Sequence, residues 1–159
     1  MLEQWTVSIG GLLRDVFPSS AHENRILWRE YLPYALLLQS NEFQNDTQER
    51  EDLVQKVAQC LYRDGRYRQA EEIFKEVIEK QSKRLKNDDE EMLKSMMWMA
   101  STYQKQGRWT EAEMLFVQVM EKFKTLLGPE HPDTLGNMTD LASTWIKGDG
   151  WRRTSCLCK

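Results

Sequence analysis

The sequence predicts an all-α protein, a solenoid of stacked helical hairpins preceded by a helical segment. Three observations carry that prediction. A block of sequence returns 42 residues later, as DGRYRQAEEIFKEVIEK over Asp64–Lys80 and QGRWTEAEMLFVQVMEK over Gln106–Lys122. Apolar residues in and before each block recur at helical spacing, so one stripe of each helix faces a core. A glycine then separates the two helical stretches of each unit, where it can take the left-handed conformation that ends a helix. Self-similarity at such a period marks a repeat architecture, in which each unit is covered by its neighbours.

The elements follow in order. Trp5, Val7, Ile9, Leu12, Leu13, Val16 and Phe17 suit a short helix, and Phe17-Pro18-Ser19-Ser20 breaks it. A second helix is expected from about Asn24 to Ser40, through Ile26, Leu27, Trp28, Tyr31, Leu32, Ala35, Leu36 and Leu38. Pro33 lies inside it and is expected to kink it or split its first turns. Asn41 to Arg50 (NEFQNDTQER) reads as a polar loop. The first unit runs through Val54, Val57, Ala58 and Leu61 to Gly65, then through Ala70, Ile73, Phe74, Val77 and Ile78. In the second unit Leu93, Met96, Met97, Met99, Ala100 and Tyr103 precede Gly107. Ala112, Leu115, Phe116, Val119, Met120 and Phe123 follow it.

A third unit begins at Pro132 and Asp133, a proline and a carboxylate suited to a helix N-terminus. Leu135, Met138, Leu141, Ala142 and Trp145 keep it in register. Small residues at matched positions set the packing. Ala58, Ala100 and Ala142 on first helices, and Ala70 and Ala112 on second helices, allow close crossings. Phe74 and Phe116 fill the space beyond them.

The third copy then departs from the pattern. Gly148 to Lys159 (GDGWRRTSCLCK) has no helical apolar stripe. Read one nucleotide earlier, its degenerate codons permit Gly-Arg-Trp, a Glu and Leu-Phe-Val-Gln at the spacing of GRWTEAEMLFVQ. That match suggests a frameshifted or mis-spliced second helix. The expected organisation is a helical segment at 1–45, a repeat array at 46–147 and an irregular tail at 148–159. Without its antiparallel partner, the third first-helix should leave Met138, Leu141 and Trp145 short of cover. The chain should fray from about residue 146 and tend to self-associate.

Composition narrows the function. The 159 residues are 40% hydrophobic and 30% charged, with net charge −3 and both signs interspersed. That balance gives no general attraction to nucleic acid. No stretch approaches the roughly 20 apolar residues of a membrane span. Met1-Leu2-Glu3-Gln4-Trp5 lacks the basic start and apolar run of a secretory signal. Three cysteines, Cys60, Cys156 and Cys158, fit a reducing compartment, so a cytoplasmic location is expected. Cys156 and Cys158 have no second Cys/His pair at zinc spacing. His22 and His131 are isolated, and the phosphate-loop, HExxH and GxSxG patterns are absent. No catalytic residue, metal site or cofactor is expected, and the protein is not read as an enzyme.

The order Ala100, Tyr103, Gly107, Trp109, Ala112 and Phe116 resembles the signature of the tetratricopeptide repeat (TPR). Ala58, Gly65, Tyr67, Ala70 and Phe74 repeat it, and Ala142 begins it again. The family's usual unit is about 34 residues. The longer unit here adds to the second helix and to the loop LLGPEHPDT (Leu126–Thr134). In that respect it is similar to the repeats of kinesin light chains and of fungal STAND-type (NB-ARC or NACHT) proteins. LLRDVFPSS followed by WREYLPYALLLQS is similar to the segment before the TPR array of the fungal proteins, with Trp28, Leu32, Pro33 and Ala35 matching. Capping of the first repeat is the alternative reading of that segment.

The resemblance implies a scaffold that binds a peptide or partner domain on the surface lined by the first helices. Carried over residue by residue, the lining is Asp52, Gln55, Lys56, Gln59 and Arg63, then Lys94, Met97, Trp98, Ser101, Gln104 and Lys105. Thr139, Asp140, Ser143 and Lys147 complete it. Kinesin-light-chain-like repeats usually place an asparagine where this chain has Lys56, Trp98 and Asp140, so their peptide specificity does not carry over. Lys56, Arg63, Lys94 and Lys105 are either a basic lining for an acidic peptide or a solvated helix face. Trp98 is either a binding residue or a packing residue between repeats. The other implied roles are a sensor module of a STAND-type nucleotide-binding receptor and a truncated, nonfunctional product.

Overall fold

The computed structural model describes residues 24–40, 48–84 and 89–156. The helix expected over Trp5–Phe17, and most of the loop expected after Ser40, lie outside these residues. Six helices make up the described chain. They are α1 (Arg25–Ser40), α2 (Gln48–Arg63), α3 (Tyr67–Arg84), α4 (Glu90–Lys105), α5 (Trp109–Leu126) and α6 (Pro132–Cys156).

The 42-residue period governs the helix boundaries as well as the sequence. α1, α3 and α5 begin at Arg25, Tyr67 and Trp109, and α2, α4 and α6 begin at Gln48, Glu90 and Pro132. Both series step by the same interval. Burial repeats too: Trp28, Leu32 and Ala35 of α1 are buried at the register of Ala70, Phe74 and Val77 in α3 and of Ala112, Phe116 and Val119 in α5. α1 therefore has the phase of a second helix, although its sequence shares almost no identities with the others.

The hairpin turns are set by glycine. Gly65 and Gly107 have φ of 82° and 78°, a conformation that a side chain resists. Around Gly107, the Arg108 N–H donates to the Tyr103 carbonyl at 2.9 Å and the Gly107 N–H to the Gln104 carbonyl at 3.1 Å. These two bonds satisfy carbonyls left over at the end of α4 in the Schellman pattern. Around Gly65 the same pair runs from Arg66 to Leu61 and from Gly65 to Tyr62. At the other end of α4, the Asp89 carboxylate accepts from the Glu91 N–H at 3.1 Å and caps the helix.

The chain divides into two compact units, residues 1–73 and 74–159. In the first, α1 packs on α2. Trp28, Leu32 and Ala35 are buried there, as are Leu53, Val57, Ala58, Cys60 and Leu61. In the second unit α4 packs on α5, and α5 on α6. One core cluster joins Met92, Leu93 and Met96 of α4 to Val119 and Phe123 of α5. A second joins Ala100, Ala112, Phe116 and Leu141, the point where α4, α5 and α6 meet.

Four expectations need correction. The loop expected over Asn41–Arg50 is shorter, because α2 already starts at Gln48. Pro33 does not split α1, which is assigned as one helix through it. The proline is exposed, so water can reach the Arg29 carbonyl that it leaves without a donor. The tail is not irregular over 148–156, since α6 continues to Cys156. The register agrees with this: where the two turns have Gly65 and Gly107, the third copy has Asp149, which takes the left-handed conformation less readily than glycine. Leu141 keeps its cover, being buried against Ala100 and Phe116, whereas Ala142 is exposed. An alanine serves a close crossing only where a second helix crosses it, and α6 has none among the described residues.

Candidate functional site

The first helices of the second unit, α4 and α6, supply the part of the expected lining whose geometry is defined by contacts. Gln104 ties them together. It is buried, and its Nε2 donates to the Ser143 Oγ at 3.3 Å and the Thr144 Oγ1 at 3.1 Å. Burying an amide is costly unless it is hydrogen-bonded, and here hydroxyls of the neighbouring helix meet it. Gln104 is thus an inter-helix tie rather than an open lining residue.

Lys94 is also engaged. Its Nζ lies 2.6 Å from the Glu90 Oε1 and 3.4 Å from the Asp133 Oδ2 at the start of α6. The hydrogen bond to Glu90 raises its pKa above the usual 10.5; burial opposes the rise and the Asp133 charge adds to it. Two carboxylates offset one ammonium, so Lys94 does not contribute the free positive charge expected of a basic lining. Ser101 turns its Oγ to the Met97 carbonyl of its own helix at 3.0 Å. Met97 is half-buried and packs against both core clusters. Lys105 remains exposed.

Trp98 is half-buried and stacks on Phe74, with ring centroids 6.4 Å apart and planes within 8°. The packing role weighed for it is therefore realised. At the same register in α6 stands Asp140, half-buried. Burial raises its pKa above 3.8, and the Lys105 charge pulls the other way. The α4–α6 surface thus presents an aromatic edge, a carboxylate in a partly dry setting and two exposed lysines, Lys105 and Lys147.

The remaining expected residues lie on α2, in the first unit. Gln55, Lys56 and Gln59 are half-buried, and Arg63 is exposed. Lys56 and Gln59 already have interaction partners. Cys60 is fully buried, and burial pushes its thiol up to about 12 against the pull of Arg63. It stays protonated at neutral pH and is a poor nucleophile. Among the described residues no group of three His, Cys, Asp or Glu side chains could hold a metal ion. No described helix is long and apolar enough to cross a membrane.

The signature residues lie in the interior of the hairpins. Ala58, Ala70, Phe74, Ala100, Ala112 and Phe116 are all fully buried. Tyr67 meets Tyr62 edge to face at 5.7 Å, and the Arg108 guanidinium lies 4.0 Å over the Tyr103 ring. Family comparison agrees with this arrangement. Tetratricopeptide repeat family models match residues 55–83 and 93–133. Those two segments are tetratricopeptide repeats. The fold class is accordingly the all-α TPR-type helical-hairpin solenoid.

Among solved structures, the chain is similar to a kinesin-light-chain-type protein of Podosopora anserina with nearly identical TPR-like repeats. The TM-score is 0.71 at 20% identity, over 92% of this chain and 66% of that one. A single-residue variant of the same protein matches equally well. In sequence the chain is similar to a nucleotide-binding leucine-rich repeat (NLR)-like protein of Hyaloscypha variabilis. The two are 39% identical over 66 residues, which is 40% of this chain and 7% of the relative. This chain thus spans a small fraction of that relative's length.

Several contacts were not anticipated from sequence. Thr144 receives Gln104, Glu113 accepts from the Trp145 indole at 2.8 Å, and Asp64 accepts from Arg25 and Arg29 of α1. Only the 42-residue register could have flagged them, since Asp64, Gln106 and Gly148 share one position and carry different chemistry.

Proposed function

We propose that the chain is a protein-interaction scaffold, without catalysis, that holds a peptide or partner domain against its first helices. The observation that supports it best is the α4–α6 surface. It is rigidly tied by Gln104 and yet leaves Lys105, the Trp98 edge and Asp140 at least partly open. Rigid placement of a few polar and aromatic groups favours binding, because little entropy is lost when a partner docks. Ser101 and Met97 are secondary contacts of that surface, and Gln55, Lys56, Gln59 and Arg63 of α2 are proposed as lining residues of the first unit taken by itself. With Lys94 neutralised by carboxylates, the partner need not be acidic. A cytoplasmic location belongs to the same reading.

Selection from a displayed random-peptide library against the whole chain tests it. A selected peptide should lose about tenfold in affinity with Lys105→Glu and with Asp140→Lys, changes at an exposed ammonium and the half-buried carboxylate. A loss of that size corresponds to roughly 1.4 kcal/mol. Unchanged affinity in both variants would place the binding surface elsewhere.

A second reading is favoured by the NLR-like relative: the repeats act as the sensor module of a nucleotide-binding receptor. It predicts that supplying the relative's nucleotide-binding region in trans yields a complex with this chain. Absence of a complex by co-purification would count against it.

A further inference from the structure

α4 and α6 are capped at the same register by different chemistry. At the start of α4 the Asp89 carboxylate accepts from the Glu91 N–H at 3.1 Å. One repeat later His131 stands in place of Asp89, and its Nδ1 accepts from the Asp133 N–H at 3.2 Å. Each bond joins the residue before the helix to the second residue in it, which is N-cap geometry. Pro132 prepares the cap of α6. The residue before a proline is held extended, and a proline suits the first helical position. The His131 carbonyl also accepts from the Leu135 N–H at 3.0 Å, so backbone and side chain of one residue close the first turn.

The two caps respond differently to acid. An imidazole nitrogen accepts only while it carries no proton, and histidine changes charge between about pH 5 and 8. A carboxylate keeps accepting throughout that range. We infer that His131 is a pH-sensitive cap, which holds the first turn of α6 when neutral and releases it when protonated. Its ring is partly exposed, so protons reach it without unfolding. A protonated Nδ1 is a donor facing the Asp133 N–H donor, at the positive end of the helix dipole. It can turn instead to the Asp133 carboxylate, whose Oδ2 lies 4.0 Å away. That carboxylate already lies 3.4 Å from the Lys94 Nζ, which Glu90 of α4 also holds. Glu130 precedes the ring in the loop, and Lys124 lies in the last turn of α5; both are exposed. Protonation therefore exchanges a backbone cap for a shared ion pair and weakens the hold of Asp133 on Lys94. The start of α6 and its link to α4 change together, whatever docks on the α4–α6 surface.

Amide hydrogen exchange of the full chain tests this, read as protection factors from about pH 8 to about pH 5. An amide in the first turn has no partner within its helix, so the protection of Asp133 reports the cap. A His22→Gln background leaves His131 as the only histidine. On acidification the Asp133 amide should lose about fivefold in protection, in step with the His131 ring titration seen by NMR. The Glu91 amide, capped by Asp89, should keep its protection. His131→Asn supplies an uncharged acceptor at every pH and should abolish the response. His131→Ala should show the lowered protection already at the alkaline end. Two outcomes overturn the inference. One is Asp133 protection that does not follow the ring. The other is an acid response that persists in His131→Asn, which would pass it to another group, with Asp140, raised by burial, first in line.

Discussion

α4 and α6 start from the same place in the repeat and end in different surroundings. Leu93 is fully buried, and its counterpart Leu135 is half exposed; Ala100 is fully buried, and its counterpart Ala142 is exposed. The residue types are the same, so the sequence pattern is not what separates them. Cover by α5 is. A repeat helix has two interfaces, one with the preceding hairpin and one with its own partner, and among the described residues α6 makes the first. Stability in a stacked array belongs to such interfaces rather than to single helices.

The largest expected effect tests that difference directly. Leu93→Ala removes a fully buried side chain from the α4–α5 cluster and should destabilise by about 2–5 kcal/mol. Leu135→Ala should stay within about 0.5 kcal/mol of the native protein. Urea unfolding followed by circular dichroism reads both. Equal costs at the two sites would mean that the α6 flank is covered in the monomer, and the comparison would fail.

The retained interface of α6 differs from its counterparts in polarity. At the register of Asn137, Leu141 and Thr144 in α6, α4 has Ser95, Met99 and Thr102, and α2 has Leu53, Val57 and Cys60. Asn137 is fully buried with neither amide atom hydrogen-bonded among the described residues, and so is Gln81 of α3. A buried polar group without a partner costs roughly 1–3 kcal/mol. Asn137→Leu and Gln81→Met should therefore each raise the unfolding free energy by about 1–2 kcal/mol, with α6 gaining the most hydrogen-exchange protection in the first. A loss of stability in Asn137→Leu would reveal a bound water that satisfies the amide.

Much of this was legible in the sequence, for a physical reason. Gly65 and Gly107 end helices through a backbone conformation, and Ala100, Ala112 and Phe116 fill a core by volume, so both requirements write themselves into residue type. α1 was read as a helix, but its repeat phase was missed. The i, i+4, i+7 burial of Trp28, Leu32 and Ala35 uses different residues from Ala70, Phe74 and Val77, so register survives where identity does not. The helical tail is not legible in the pattern, because loss of an apolar stripe is not loss of helix. Helix continuation needs only the absence of a strong stop, and Asp149 is a weaker stop than glycine. The lining residues were the least legible. Lys94 and Gln104 look free on a helical wheel, and only the neighbouring helix shows that Asp133, Ser143 and Thr144 claim them.

The smallest expected effect concerns the joint between α1 and α2, the charged counterpart of the joint at α6. Asp64 accepts from Arg29 Nε at 3.0 Å and Arg25 at 3.4 Å, and its register mates Gln106 and Gly148 carry no charge. Burial alone would raise its carboxyl, but the hydrogen bonds and charges of Arg29 and Arg25 outweigh it and hold the pKa below 3.8. A group whose folded pKa is depressed stabilises the fold fully above its unfolded value, near 4, and loses that contribution as pH falls through the folded one. Both arginines are largely exposed, so the pair is worth about 1 kcal/mol at most. Acidification below about pH 4 should thus loosen α1 selectively in the native chain. Asp64→Asn should show the same reduced protection of α1 at neutral pH and little further change on acidification. Hydrogen exchange resolved by helix, with α4 as the internal reference, measures this; equal loss of protection in α1 of both proteins on acidification would remove Asp64 as the cause.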